Sequence, residues 1–144
     1  MFFTGADREL LDLSGFARMS TLMPNGAPQL TVLWYRRVND TLRIICPASA
    51  QKRRNLERDP RVSVVVEDPQ SAFRFIEIRG RAEVLHDDDG ARRELVLIAR
   101  RYIGEQAEGY AAGLSDAPRV ILVVHPERIV RHLGSALSNS NTTT

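Results

Sequence analysis

The stretch Leu42–Glu67, LRIICPASAQKRRNLERDPRVSVVVE, decides the fold because it places a short cationic segment between two β-branched runs. The first run ends at Cys46-Pro47, and the second follows the turn at Asp59-Pro60. This pattern predicts a strand, one basic helix and a second strand. The start of such a helix offers unpaired backbone N–H groups and a positive dipole end, which suit a phosphate bound beside the sheet.

Three cations, Lys52, Arg53 and Arg54, occupy the first turns of the predicted helix. A phosphate accepts charge-assisted hydrogen bonds from such side chains. The same residues also suit a solvated helix face, and the charges alone favour neither interpretation. Other parts of the sequence are needed to distinguish a phosphate site from a solvated helix face.

The composition is that of one ordinary globular domain. The chain has 144 residues, of which 43% are hydrophobic, and a net charge of +2. General nucleic-acid binding usually requires a concentrated basic face, which so even a charge balance does not indicate. We therefore expect a single domain over residues 1–133 and no nucleic-acid partner.

Location and redox chemistry are predicted from simple sequence signals. The N-terminus shows no signal-peptide pattern, and no apolar run approaches the roughly 20 residues that span a bilayer, so we expect a cytoplasmic protein. The single cysteine, Cys46, excludes an internal disulfide, and its place at the end of an apolar run favours a buried thiol over a nucleophile. The tail, residues 134–144, has almost nothing to bury and is predicted to be disordered.

The remaining pattern is dominated by strands in antiparallel order. Asn25-Gly26 is a strong hairpin signal, and Gly80 is a predicted bend within a long strand. Strands are predicted over 16–23, 28–37, 41–46, 61–67, 73–85 and 119–125, where Pro126 ends the last; residues 127–133 are a candidate for one more. We expect the first three to form a meander within a mainly β (α+β) fold, a small barrel of about six antiparallel strands with two to three peripheral helices.

Helical spacing replaces the strand pattern after residue 86. Apolar residues recur from Leu95 to Tyr102 at helical intervals, and three acidic residues, Asp87–Asp89, precede them. Carboxylates stabilise the positive end of a helix, and no histidine stands at ligand spacing among them. This triplet is therefore interpreted as a helix start, and no metal site is predicted.

The second predicted strand is apolar on both faces. Alternate residues from Leu30 to Trp34 point to one side, and those from Thr31 to Tyr35 point to the other. A strand with one solvated face should instead alternate between polar and apolar residues. A core covers one face, so a partner subunit or a flat ligand is expected to cover the other.

Four segments of the chain resemble, in order and spacing, the pyridoxamine 5′-phosphate oxidase-like split-barrel superfamily. They are STLMPNGAPQLTVLWY, SAQKRRNLERDPRVSVVVEDP, FRFIEIRGRAEV and RVILVVHPERI. They look closest to its flavin/deazaflavin oxidoreductase branch, the probable coenzyme F420-dependent enzymes. The most specific element is K-x-x-N-L-x-x-D-P-R, from Lys52 to Arg61, and the match covers residues 16–131.

The resemblance implies a six-stranded split barrel that forms a homodimer, with the flavin or deazaflavin in a groove between the subunits. In relatives the second strand runs along the isoalloxazine ring, while the third strand's end and the following loop meet the ribityl chain and phosphate. Lys52 matches the lysine that relatives use on the phosphate. The implied cofactor contacts are Gln29, Leu30, Thr31, Val32, Trp34, Cys46, Pro47, Ala48, Ser49, Ala50, Gln51, Lys52, Arg53 and Arg54.

The chain departs from many flavin-binding relatives beside that lysine. Ala50 and Gln51 stand where those relatives carry Ser and Arg, so a bidentate phosphate partner is missing and the grip is expected to shift to Arg53 or Arg54. Cys46 stands where Thr is frequent in relatives. The pyridoxal phosphate-specific C-terminal residues of true pyridoxamine phosphate oxidases have no visible counterpart, so that activity is not expected.

The activity implied is hydride transfer between coenzyme F420 and a small electrophilic organic substrate, with the cofactor carrying the chemical step. FMN is the alternative cofactor, and a non-catalytic flavin- or haem-binding carrier or sensor is the alternative class. No catalytic side chain is assigned, although His125 and His132 are candidate proton donors. Trp34 and Tyr35 are candidates for a wall of the ring or substrate, and the segment 104–118 is a candidate cover for the pocket.

Overall fold

The computed structural model describes residues 2–132, so Leu133 and the predicted disordered tail over 134–144 lie outside the described residues. Its seven strands are β1 (Ala17–Leu22), β2 (Pro28–Leu33), β3 (Arg36–Val38), β4 (Thr41–Pro47), β5 (Arg61–Asp68), β6 (Ser71–Leu85) and β7 (Arg119–His132). The helices are α1 (Gly5–Leu11), α2 (Gln51–Arg58), α3 (Asp88–Ile103) and α4 (Ala107–Ala112), with one 3₁₀ turn, Gly104–Gln106, between the last two.

All seven strands belong to one antiparallel sheet in the order β2-β1-β5-β6-β7-β4-β3. The two edge strands, β2 and β3, are consecutive in the chain and are separated only by Trp34-Tyr35. Because consecutive Cα atoms are 3.8 Å apart, the two edges approach within about 11 Å at this point. The sheet therefore curls on itself, and the chain rather than a hydrogen-bond ladder joins its edges.

The expectation of six strands in a barrel with a three-strand meander is wrong in its count and its pairing. The predicted strand over 28–37 breaks at Trp34-Tyr35, and its halves pair with different neighbours, β2 with β1 and β3 with β4. β4 then pairs with β7 on its other side. The break has a packing cause, since the Tyr35 side chain is fully buried in the core while β2 and β3 occupy opposite edges of the sheet.

The predicted end of a strand at Pro126 is also wrong, because β7 runs through that residue. Pro126 faces Gly80, where the ladder between β6 and β7 shifts register. Proline has no N–H to donate, and bulges are among the few sheet positions that tolerate it. A Cβ on Gly80 would lie 2.0 Å from the His125 carbonyl oxygen, so only glycine fits and the predicted bend there is confirmed.

The main core lies inside the curled sheet, and two helices flank it. α2 packs against β1 and β6 and buries Leu56 in the core. α3 packs on β7 and β4, with Asp87 as its N-cap accepting a hydrogen bond from the Gly90 amide, which confirms the predicted helix start. None of the helices within residues 2–132 has the length and apolar content needed to cross a membrane.

Candidate functional site

The start of α2 presents unoccupied backbone donors. Ala50 is the N-cap and contributes no side-chain cap, while its carbonyl accepts from the Arg53 and Arg54 amides at 3.1 and 3.3 Å. The Gln51 and Lys52 amides find no acceptor among the described residues. These two N–H groups lie at the positive end of the helix dipole, where an anion is favoured.

The two arginines predicted to grip a phosphate instead brace the loop before the helix. Arg53 Nε donates to the Ala48 carbonyl at 2.5 Å, and Arg54 Nη1 donates to the Ser49 carbonyl at 2.6 Å. Arg54 Nη2 also donates to Gln51 Oε1 at 2.7 Å. The predicted shift of the phosphate grip to Arg53 or Arg54 stays a prediction, and in this structure both side chains already have acceptors in the loop.

Lys52 differs from its two neighbours. Within residues 2–132 its ammonium group makes no hydrogen bond or ion pair, and the residue is partly buried. It is also the only lysine in a chain that contains 20 basic residues. The cation left for a ligand at the start of α2 is therefore Lys52.

Arg119 is a further cation at this end of the sheet, and sequence reasoning missed it. It pairs with Pro47 across β4 and β7, and the Ala48 amide donates to the Pro118 carbonyl at 2.9 Å. Burial raises the pKa of the Cys46 thiol, and the positive charges of Lys52, Arg53 and Arg119 oppose that rise. No local signal announces Arg119, because only the β4–β7 pairing brings it beside a loop about 70 residues earlier in the chain.

The predicted contacts on β2 line two different surfaces. Leu30 and Val32 are 69% and 58% exposed and form an apolar patch on the outer face. Gln29 and Thr31 alternate with them, and the Gln29 side-chain oxygen accepts from Asn55 Nδ2 at 3.3 Å. The outer face is the apolar surface for which the sequence predicts a cover, and within a single chain it is exposed.

Two predicted site residues lie in the core. Cys46 is 2% exposed, so its thiol does not reach a ligand groove, although the loop that follows it does reach the surface. Tyr35 is fully buried, and its hydroxyl donates to the Leu11 carbonyl. Burial raises the pKa of Tyr35 well above its ordinary value, so it is a structural phenol rather than a wall of the pocket.

The two candidate proton donors lie on β7. His125 is exposed, and its Nε2 lies 3.1 Å from Glu83 Oε1. His132 stacks on Phe75 with ring centroids 4.1 Å apart. Neither contact connects a histidine to α2, and neither assigns it a role in proton transfer.

A cleft of about 250 Å³, lined mainly by aliphatic and aromatic side chains, lies beside the β4–β7 end of the sheet. Trp34 forms part of it, stacked on Tyr102 at 4.9 Å between centroids and tilted against Tyr110 at 5.6 Å. The segment 104–118 contributes Tyr110 and Leu114 to the lining, and Arg119 is the charged residue of that lining. We call this space the Trp34 cleft.

A wider groove of about 380 Å³ crosses the outer face of β1, β5 and β6. Its arginines are already paired with acids two residues away: Arg61 with Asp59 at 2.8 Å and Arg79 with Glu77 at 3.0 Å. Because these charges pair with one another, the arginines of the groove are less available to a ligand than Arg119 is in the smaller cleft.

Residues 3–132 match the family model described as pyridoxamine 5′-phosphate oxidase. The chain therefore belongs to the pyridoxamine 5′-phosphate oxidase-like split-barrel family, and the predicted resemblance is confirmed.

Solved structures agree with this membership. An F420 reductase is 30% identical, with 85% of this chain and 94% of that chain covered at a TM-score of 0.69. A conserved hypothetical protein from Mycobacterium tuberculosis is 24% identical, covering 100% of this chain and 93% of that one at 0.78. The heme storage protein HutZ from Vibrio cholerae is 19% identical, with 93% and 98% covered at 0.67. The last two support the fold alone. Among curated proteins, none matches this chain.

Proposed function

We propose that this protein is an F420-dependent oxidoreductase that transfers hydride to a small electrophilic organic substrate. The observation that carries the proposal is Lys52, which has no partner within residues 2–132 and lies at the start of α2, where no side chain caps the helix. The 30% identity to an F420 reductase over most of both chains supports the same conclusion.

The residues at the start of α2 fit one anionic phosphate. Lys52 supplies a cation, and the Gln51 and Lys52 amides supply two neutral donors. Arg53 and Arg54 are occupied by loop carbonyls, and the Gln51 side chain donates to Asn55 Oδ1 at 2.8 Å. Among the described residues, Lys52 is therefore the one cation at the start of α2 whose hydrogen bonds are all free for a ligand.

Having one unpartnered ammonium group at the start of α2 favours the phosphate of F420 over that of FMN. The phosphate of F420 is a diester with one negative charge, whereas the monoester of FMN carries about −1.5 to −2 at pH 7. A dianion bound by one cation leaves part of its charge uncompensated in a partly buried site. FMN remains the alternative cofactor, and the titration below separates the two.

A homodimer is part of the proposal. Leu30 and Val32 expose an apolar patch on an edge strand, and Phe73 is 53% exposed on β6. Exposed apolar surface of this kind marks an interface or a ligand groove. We assign the β2 face to the second subunit and the cofactor ring, which together would exclude water from it.

When bound, the cofactor supplies the hydride chemistry. The chain's own contribution is to hold the phosphate with Lys52 and the two free amides, and to keep water away from the ring along Leu30 and Val32. Trp34 provides an aromatic surface where β2 ends, fixed by its stack on Tyr102.

The direct test is a titration of the purified protein with F420, FMN and haem, followed by visible spectra and Trp34 fluorescence. F420 is expected to bind more tightly than FMN, and reduced F420 is expected to be oxidised when a quinone, enone or nitro compound is added. Tighter binding of FMN would mean that FMN is the cofactor. Haem binding without turnover would mean that the protein is a haem-binding carrier or sensor and not an oxidoreductase. Failure to bind any of the three would end the proposal.

The single lysine allows an independent test of the phosphate site. Reductive methylation modifies Lys52 and the N-terminal amine, which serves as the internal control. Bound F420 is expected to slow methylation of Lys52 and leave the N-terminal rate unchanged. Equal rates with and without F420 would remove Lys52 from the site, whatever the enzyme's activity.

A further inference from the structure

Arg119 stands apart from the other arginines with incomplete hydrogen bonding. Four arginines have a buried side-chain nitrogen without a partner in the described part of the chain: Arg8, Arg18, Arg43 and Arg119. The first three each pair with a carboxylate through another nitrogen. The Arg119 guanidinium has no ion pair or side-chain hydrogen bond within residues 2–132. Its unpartnered nitrogen, Nε, is itself buried, but the residue as a whole is partly exposed, so an anion in the cleft would pair with the remainder of the guanidinium.

The carboxylate of Asp88 lies close to Arg119, but it bonds to the Arg119 backbone amide and to Arg92 instead of to the Arg119 guanidinium. Asp88 accepts a hydrogen bond from the Arg119 backbone amide at 2.8 Å and another from Arg92 Nε at 3.2 Å. Both bonds lower the pKa of the Asp88 carboxyl. Asp88 thus holds the start of β7 through the Arg119 backbone amide, and the Arg119 side chain lines the Trp34 cleft.

The side chains that line the Trp34 cleft are aliphatic or aromatic, with Arg119 as the one charged residue among them. Ile45, Leu95 and Leu114 contribute aliphatic surface, and Trp34 and Tyr110 contribute aromatic rings. An apolar pocket with one convergent polar group is the usual composition of a small-molecule site. Its volume of about 250 Å³ lies just below the range for drug-sized ligands, which suits a compound of one or two rings.

We propose that the Trp34 cleft binds the organic substrate of the proposed oxidoreductase, and that Arg119 recognises a carboxylate on that substrate. This assignment of substrate class, a small planar compound with an acidic group, rests on the proposed function for its redox step. Arginine matches a carboxylate with two parallel N–H donors, and its aliphatic stem suits an apolar wall. Lys52 at the start of α2 serves the cofactor phosphate, so the two cations have separate ligands.

The test measures binding without cofactor, through fluorescence of Trp34, the only tryptophan. The probes are 4-nitrobenzoate and 4-nitrobenzamide, which match in size and shape, differ in charge, and both quench tryptophan. The wild type is expected to bind the acid at least tenfold more tightly than the amide. Arg119→Gln is expected to abolish this preference while retaining its amide affinity, which also shows that the variant is folded.

The control is Arg128→Gln, an exposed arginine on the same strand, which is expected to keep the wild-type preference. Equal affinity for acid and amide in the wild type, or a preference that survives Arg119→Gln, would overturn the proposal.

Two further arms distinguish the anion's source. If inorganic phosphate or F420 displaces 4-nitrobenzoate competitively, Arg119 belongs to the cofactor site and the substrate assignment is wrong. If the protein binds no F420 but discriminates the two probes through Arg119, the carboxylate site in the Trp34 cleft is supported and the proposed F420-dependent function is wrong.

Discussion

The chain holds two clusters of basic residues that differ in what they do. At the first, between α3 and the β3–β4 hairpin, Glu94 is 5% exposed and accepts from Arg36 at 2.6 and 2.8 Å. Arg43 reaches the same carboxylate at 3.5 Å. Every charge there has a partner in the chain, so the cluster is a clamp that fixes α3 on the sheet.

At the second cluster, the start of α2, one cation is left over. Arg53 and Arg54 donate to loop carbonyls, while Lys52 has no partner among residues 2–132. The difference follows side-chain chemistry: the fork of arginine suits fixed acceptors, and the flexible ammonium of lysine suits an exchangeable one. Cations with partners in the chain therefore hold the fold at both clusters, and at the second cluster Lys52 is available to a ligand.

The largest expected effect comes from breaking the clamp. Glu94→Gln leaves two arginines without their carboxylate. Loss of one partner of a buried ion pair costs about 3–5 kcal/mol, but both arginines are about one-third exposed, so we expect a loss of about 2–3 kcal/mol. Urea unfolding of wild type and variant measures it.

The matched control is the same substitution at an exposed pair. Glu127 lies 3.4 Å from Arg81, with both side chains more than half exposed. Glu127→Gln should change the unfolding free energy by less than about 0.5 kcal/mol. Similar losses in the two variants would mean that Glu94 is no clamp.

A second paired charge, Asp7, makes the comparison dependent on pH. Its side chain is 1% exposed and accepts from Arg131 Nε at 2.8 Å. Burial by itself raises the pKa of Asp7, but hydrogen bonds from Arg131 and Thr4 hold the net value below the ordinary one. Its stabilising contribution is therefore present above an ordinary pKa of about 4 and is lost as the pH falls through the lower folded-state pKa.

Asp7→Asn should cost about 2 kcal/mol at pH 7, since it leaves the partly exposed Arg131 unpaired. The difference between wild type and variant should shrink between about pH 5 and pH 3. Urea unfolding at four pH values in that range and at pH 7 measures it. A difference that stays constant with pH would show that Asp7 is not the titrating partner.

Local patterns predicted much of the fold, and long-range pairing explains what they missed. The α2 segment and its flanking strands were predicted from β-branched runs and turns, and the Asn25-Gly26 turn is confirmed with Gly26 at φ 85°. The break at Trp34-Tyr35 has no local signal, because it depends on which strands become the sheet edges. Pro126 follows the same logic, since only its register against Gly80 makes it tolerable.

The candidate site was predictable by residue type and not by partner. Sequence identified three cations at the start of α2, but which of them stays free depends on side chains that fold back on the loop. Arg119 was out of reach because strand pairing alone places it at the Trp34 cleft. A sequence pattern therefore indicates candidate ligand residues, and the hydrogen bonds of the structure show which of these candidates already have partners.

Lys52→Ala should separate binding from stability. Losing a charged hydrogen-bond partner should weaken F420 binding by about 1–3 kcal/mol, roughly fivefold to 150-fold. Because Lys52 has no partner in the described chain, the unfolding free energy should change by less than about 0.5 kcal/mol. Titration with F420 and urea unfolding of the same preparation measure both quantities. Unchanged affinity would remove Lys52 from the site.

The smallest effect is expected from Arg54→Ala, which should show the opposite profile. Its guanidinium donates to the Ser49 carbonyl and to Gln51, both on the surface, so its loss should cost about 0.5–1 kcal/mol of stability. F420 affinity should stay within about twofold of the wild type, since the loop amides and Lys52 remain. If Arg54→Ala weakens binding as much as Lys52→Ala does, the ligand recruits cations already paired in the chain. The Glu94 clamp and the start of α2 would then differ only in degree. The absence of a partner among the described residues would no longer identify the side chain that binds the phosphate.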